Sequence, residues 1–183
     1  SAGLNLAIYK KIVPIFALFV HLQILLQNCY NLFMTLAQFQ KTILAWYKKN
    51  RREMAWRNTQ DPYKILVSEV MLQQTQIPRV LTKYEEFLGV FPTIETLAKA
   101  PDNNLLKVWQ GMGYWRRAKY LKAIAKIIVQ EQAGKFPRNP EELEKLPGIG
   151  HYTARALFCF TCNNTAAFLD THIRRVYLHF FFP

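Results

Sequence analysis

Two carboxylates pose the first chemical question in this sequence. Glu69 stands in KILVSEVMLQQTQ with Ile65, Leu66, Leu72 and Gln73 at helical spacings, so no lysine or arginine of its own helix neutralises it. A carboxylate on so apolar a helix is costly unless paired or protonated. It is therefore exposed, or paired across the core with an arginine such as Arg57, or an acid of raised pKa that still holds a proton at neutral pH. Asp170, between AAFL and THIRRV, suits a helix N-cap. Taken as a pair, a proton donor and a carboxylate that stays ionised are what cleavage of a glycosidic bond through an oxocarbenium-like state requires. Far apart in sequence, the two need a fold to bring them together.

The second feature is a pair of glycine turns. LPGIGHYTARAL places Pro147, Gly148, Ile149 and Gly150 between two helical runs, and GMGYWRRA repeats the pattern at Gly111 and Gly113. In each, Gly-x-Gly is followed by an aromatic residue and then by Arg and Ala. Glycine permits a tight turn, and it also lets bare N–H groups approach an anion at a helix start. The chain carries 24 Lys+Arg against 12 Asp+Glu, a net charge of +12, which points to a polyanionic partner and favours the phosphate reading of such a hairpin. Tyr114 and Gln74 belong to the same picture, because side chains that enter a duplex beside an extruded base are flat, or slender and polar-tipped.

Positioning these groups falls to helices. Asp61-Pro62 caps the run YKILVSEVMLQQ, Phe91-Pro92-Thr93 opens a short helix to about Ala100, and Pro101-Asp102 opens another to about Gln110. YWRRAKYLKAIAKIIVQEQ has apolar residues at helical spacing (Tyr114, Ala118, Leu121, Ile124, Ala125, Ile128) with basic residues on the other face. Asn139-Pro140-Glu141-Glu142 reads as a capping box, and helices are expected over about His151–Thr161 and Thr171–Phe182. No segment alternates with period two for long enough to form a strand, so the class is all-α. The chain has 183 residues, of which 51% are hydrophobic and 14% aromatic, which excludes a disordered tail and fits one main domain.

The remaining candidates carry less chemistry. Cys29, Cys159 and Cys162 make no disulfide framework; Cys159 and Cys162 form C-x2-C in a helical apolar segment and read as buried thiols, and no metal site is expected. His151, His172 and His179 do not form a ligand set, His179 reads as core, and Trp56, Trp109 and Trp115 read as core. Residues 1–33 differ in composition: Lys10 and Lys11 precede the apolar run Ile12 to Leu26, which holds Pro14, His21 and Gln23. That run is shorter than the ~20 residues a spanning helix needs and lacks an A-x-A cleavage pattern, although an exported or membrane-tethered protein stays open as a rival. The preferred division is an apolar leader over 1–33 outside the native domain, Met34 as the natural start, and one domain over 34–183.

From Met34 to about Val176 the residues resemble the helix-hairpin-helix base-excision DNA glycosylases, and within them the MutY-type adenine glycosylases. The motifs are WYKKN, WRNTQDPYKILVSEVMLQQTQ, FPTIETLAKAP, WQGMGYWRRAKYL, GKFP, LPGIGHYTARA, and LD twenty residues after Gly150. SEVMLQQTQ singles out the adenine branch. The resemblance implies a six-helix barrel core with an incomplete second helical domain, supplied by Thr35–Asn50 and the last helix. It implies Glu69 as the general acid for a flipped adenine and Asp170 as the carboxylate that stabilises the sugar cation. Gln74 and Tyr114 would probe or wedge the stack opposite, and the Pro147-Gly148-Ile149-Gly150 backbone would hold a DNA phosphate. Tyr152 occupies the position where lyase members carry a nucleophilic lysine, which implies a monofunctional hydrolytic glycosylase acting on adenine opposite 8-oxoguanine or guanine.

Two departures qualify the match. Family members continue LDGNV where this chain has LDTHIRRV, so Thr171 and His172 replace a glycine and an asparagine near the aspartate. The sequence also ends at Pro183, before the four-cysteine segment that commonly binds a [4Fe-4S] cluster, so no cofactor is expected in this chain, and Phe180, Phe181 and Phe182 would form an exposed cluster. The expected partner is double-stranded DNA bearing A:8-oxoguanine or A:G mispairs, bound by a cytoplasmic monomer. A binding-only fragment and a related glycosylase acting on thymine or another base are the alternatives.

Overall fold

The computed structural model describes residues 36–162 and 171–181. All regular structure among them is helical: α1 (Leu36–Asn50), a 3-10 turn (Ala55–Arg57), α2 (Pro62–Leu72), α3 (Ile77–Val90), α4 (Ile94–Lys99), α5 (Asp102–Val108), α6 (Arg116–Glu131), α7 (Pro140–Leu143), α8 (His151–Cys162) and α9 (Thr171–Phe181). The expectations for residues 1–33, the start at Met34, Asp170 and the Phe180–Phe182 side chains lie outside the described residues. No described helix is long and apolar enough to cross a membrane.

Local chemistry explains most of the helix starts. The Asp61 carboxylate accepts from the Tyr63 and Lys64 amides at 2.9 and 3.4 Å, with Pro62 opening α2. Thr93 and Thr96 exchange side-chain-to-backbone bonds at the start of α4, satisfying two otherwise orphaned donors. The Asn139 side chain accepts from the Glu142 amide at 2.7 Å, but α7 that follows is only four residues long. Helix α3 has no side-chain cap at Gln76; its signal is the apolar spacing Val80, Tyr84, Phe87, all buried.

The chain divides into two compact units, Met54–Ala166 and the segments Ser1–Glu53 with Ala167–Pro183. In the larger unit α2 is central and packs on α3, α6 and α8, while α6 also packs on α4, α7 on α8, and α3 on α5. Ile65, Leu66, Val67, Val70 and Met71 of α2 are buried in the shared core, with Trp109, Leu121, Ile124 and Ile128. Cutting one such aliphatic chain back to alanine costs about 2–5 kcal/mol. In the smaller unit α1 buries Phe39, Ile43 and Tyr47, one helical turn apart, α9 buries Ile173 and Val176, and the Phe39 and Tyr177 rings lie 5.9 Å apart.

Several expectations are corrected. Arg117 belongs to the core and not to the basic face of α6, with 6% of its surface exposed. Tyr114 precedes α6 and is exposed, as is Trp115, because both belong to the turn and not to the helix's apolar stripe. His179 is exposed on α9. Of the two cysteines on α8, Cys159 is buried and Cys162, the last residue of the helix, is exposed.

Candidate functional site

Glu69 sits on α2 between the buried Ser68 and Val70, and is itself half-buried. It makes no ion pair with Arg57, nor any hydrogen bond to another described residue. Burial raises its pKa to about 7, with no contribution from a charged group among the described residues. The alternative of a pair across the core is therefore excluded, and the group is a carboxylic acid that is about half protonated at neutral pH.

Chain leaving the C-terminal end of α2 enters a tight loop in which Gln74 is exposed and adopts φ 54. The turn before α6 has Gly111 at φ 85, Gly113 at φ 68 and Tyr114 at φ 47, with the Tyr114 ring 62% exposed. A non-glycine residue in this left-handed region is uncommon and costs about 1–2 kcal/mol. Three described non-glycine residues adopt it, and two of them are the side chains the sequence selected as duplex probes.

The hairpin between α7 and α8 is built differently. Ile149 is buried and anchors the turn, its amide donating to Leu146 O at 3.1 Å, while Gly148 and Gly150 are exposed. Gly148 has φ 74, and a Cβ there would be driven into the Tyr120 ring. The amides of Gly148 and Gly150 donate to no described residue, and the Ala154 amide returns to Gly150 O at 2.9 Å as α8 begins. Glycine backbone with free donors at a helix start is a site for a phosphate oxygen. His151 and Glu144 bracket the turn, with Nδ1 and Oε1 2.6 Å apart. Tyr152 lies on the first turn of α8, half-buried, and α8 packs against the α2 that carries Glu69.

A group missed in the sequence ties these loops together. The Arg117 guanidinium donates to Val70 O, Met71 O and Gln73 O through Nη1 and to Met112 O and Gly113 O through Nη2, at 2.5–3.3 Å. It also lies over the rings of Trp109 and Tyr114, at 5.5 and 5.4 Å from their centroids. The Gln73 side chain reaches on to Gly148 O at 3.4 Å. The signal that could have found it is spacing, since 117 is 121−4 and 124−7 and so falls on the apolar stripe of α6.

Among the described residues no group of three or more His, Cys, Asp or Glu side chains could hold a metal ion. Asp170 falls in 163–170, outside the described residues, and Thr171 and His172 open α9, both exposed.

Residues 67–183 match the family model described as HhH-GPD superfamily base excision DNA repair protein. The chain belongs to this superfamily. It is 41% identical over 149 residues to an adenine DNA glycosylase of Buchnera aphidicola subsp. Baizongia pistaciae, covering 81% of this chain and 42% of that one. It is 41% identical over 135 residues to the adenine DNA glycosylase of Mycobacterium tuberculosis (73% and 44%), and 34% identical over 161 residues to that of Homo sapiens (81% and 30%). The chain thus spans less than half the length of these relatives. Among solved structures, a thermostable thymine-DNA glycosylase superposes with TM-score 0.70 at 34% identity, covering 76% of this chain and 64% of that one. A non-covalent endonuclease III–DNA complex, at TM-score 0.64 and 22% identity over 77% of this chain and 66% of that one, shares the fold.

Proposed function

We propose that this chain carries the catalytic core of a monofunctional DNA glycosylase, which hydrolyses the N-glycosidic bond of adenine opposite 8-oxoguanine or guanine after the base has left the stack. The observation that supports this most is Glu69, an acid with no ion pair among the described residues whose pKa burial raises to about 7, on the segment that marks the adenine branch. Glu69 gives its proton to a ring nitrogen of the adenine, the bond from that base to the sugar C1′ breaks, and a sugar cation forms. The resemblance gives Asp170 the role of the carboxylate that stabilises this cation; water adds to C1′ and passes its proton to that carboxylate, and free adenine leaves an abasic site. Tyr152 has no amine to trap the sugar, so the strand stays intact. The hairpin amides hold a phosphate, Gln74 and Tyr114 read the opposite base, and the +12 charge draws the chain to DNA of any sequence.

The test is single-turnover base release from duplexes with A:8-oxoguanine, A:G and T:G pairs. Adenine should leave the first two without strand scission, and Glu69→Gln should abolish release while duplex binding stays within about threefold. A different reading is favoured by the superposition on a thymine-DNA glycosylase; release of thymine from T:G would support it. Tight mispair binding with no release at saturating protein would support a binding-only fragment.

A further inference from the structure

Gln74 and Tyr114 are separated by forty residues, yet the same side chain holds the backbone in front of each. Arg117 binds the Gln73 carbonyl, which belongs to the peptide group preceding Gln74, and the Gly113 carbonyl, which belongs to the peptide group preceding Tyr114. Rotation about the N–Cα bond of each probe residue is measured from that peptide plane, so holding both planes anchors one side of the two torsions that carry the positive φ angles of 54 and 47. A strained residue persists only where its surroundings over-determine it. Here they do: a rigid guanidinium fork spans two loops, its face supports the Tyr114 ring, and Trp109 Nε1 adds a bond to Gly113 O at 3.0 Å. A simple helix cap would need only Val70 O and Met71 O at the end of α2. The bonds to Met112 O and Gly113 O, from the other nitrogen, serve no helix end.

We propose that Arg117 is a positioning residue that couples Gln74 and Tyr114 into one unit for reading the pair opposite the excised base. What the two side chains read rests on the proposed function; the coupling does not. In Arg117→Lys a compact ammonium keeps the charge and cannot span both loops.

The full chain is compared with Arg117→Lys in two measurements, with helicity by circular dichroism as the check on folding. In amide exchange, Thr75 N–H (bonded to Leu72 O) and Met112 N–H (bonded to Trp109 O) should each exchange at least about tenfold faster in the variant, while core amides of α2 and α6 keep their rates. Unchanged exchange, or a change in one loop only, overturns the coupling. In duplex binding, the preference for A:8-oxoguanine over A:T should fall about tenfold, with A:T affinity held within about twofold. Gln74→Ala and Tyr114→Ala should then each cost less in the Arg117→Lys background than in the parent, and additive costs overturn the proposal. A parent with no preference for the mispair counts against the proposed function alone, and the exchange result still decides the coupling. Should Arg117→Lys fail to fold, Arg117→Met, which removes the charge and the donors while keeping an unbranched chain, is read by the same criteria.

Discussion

The two Gly-x-Gly turns begin alike in sequence and diverge in what surrounds them. At Gly148 a side chain would meet the Tyr120 ring, whereas at Gly111 and Gly113 a Cβ would meet nothing within 4 Å. The hairpin keeps Ile149 buried and exposes Gly148 and Gly150, whose amides donate to no described residue, so its product is bare backbone. The turn at 111–113 ends instead on Tyr114, held at positive φ with its ring exposed, so its product is a side chain. Under the proposed function the shared pattern serves two kinds of contact: one indifferent to sequence, the other sensitive to the base pair.

Substitutions can break that contrast. Gly148→Ala should have the largest effect, about 2–4 kcal/mol of stability from left-handed strain plus overpacking, read by urea denaturation, together with a similar loss of affinity for every duplex. Placing it in a Tyr120→Ala background should reduce the added cost to about 1–2 kcal/mol; an undiminished cost would show that the ring is not the obstacle. Tyr114→Ala should remove about tenfold of the preference for a mispair over a matched duplex, ~1.4 kcal/mol, with matched affinity within about twofold. Equal losses on both duplexes would erase the distinction between the turns. Gly111→Ala should be mildest, about 1 kcal/mol of stability, since only its φ of 85 resists the methyl.

Features set by neighbouring residues were legible in the sequence. Asp61-Pro62, Thr93 and the periodic run from Arg116 announce α2, α4 and α6 because caps and apolar spacing act over three or four residues. Helix α3 has no side-chain cap at Gln76 and gave no such notice. Glu69 was legible as an anomaly, but whether Arg57 paired with it depended on packing that no spacing encodes. Arg117 was misassigned to the solvated face because burial of a charge is justified only by carbonyls 4–47 residues away. Cys162 and His179 were misplaced for a simpler reason, since apolar surroundings in the sequence were taken as burial although both residues stand near helix ends.

The account turns on Glu69 as a desolvated acid, and the pH dependence of single-turnover adenine release tests it most directly. Its pKa is raised from 4.5 to about 7, so the proton to be donated is present below that value and is lost above it. The rate constant for the parent chain on an A:8-oxoguanine duplex should fall through about pH 7, approaching tenfold per unit on the alkaline side, while Glu69→Gln releases no adenine at any pH. A parent profile flat from pH 6 to 9, or a Gln variant that retains release, would contradict it.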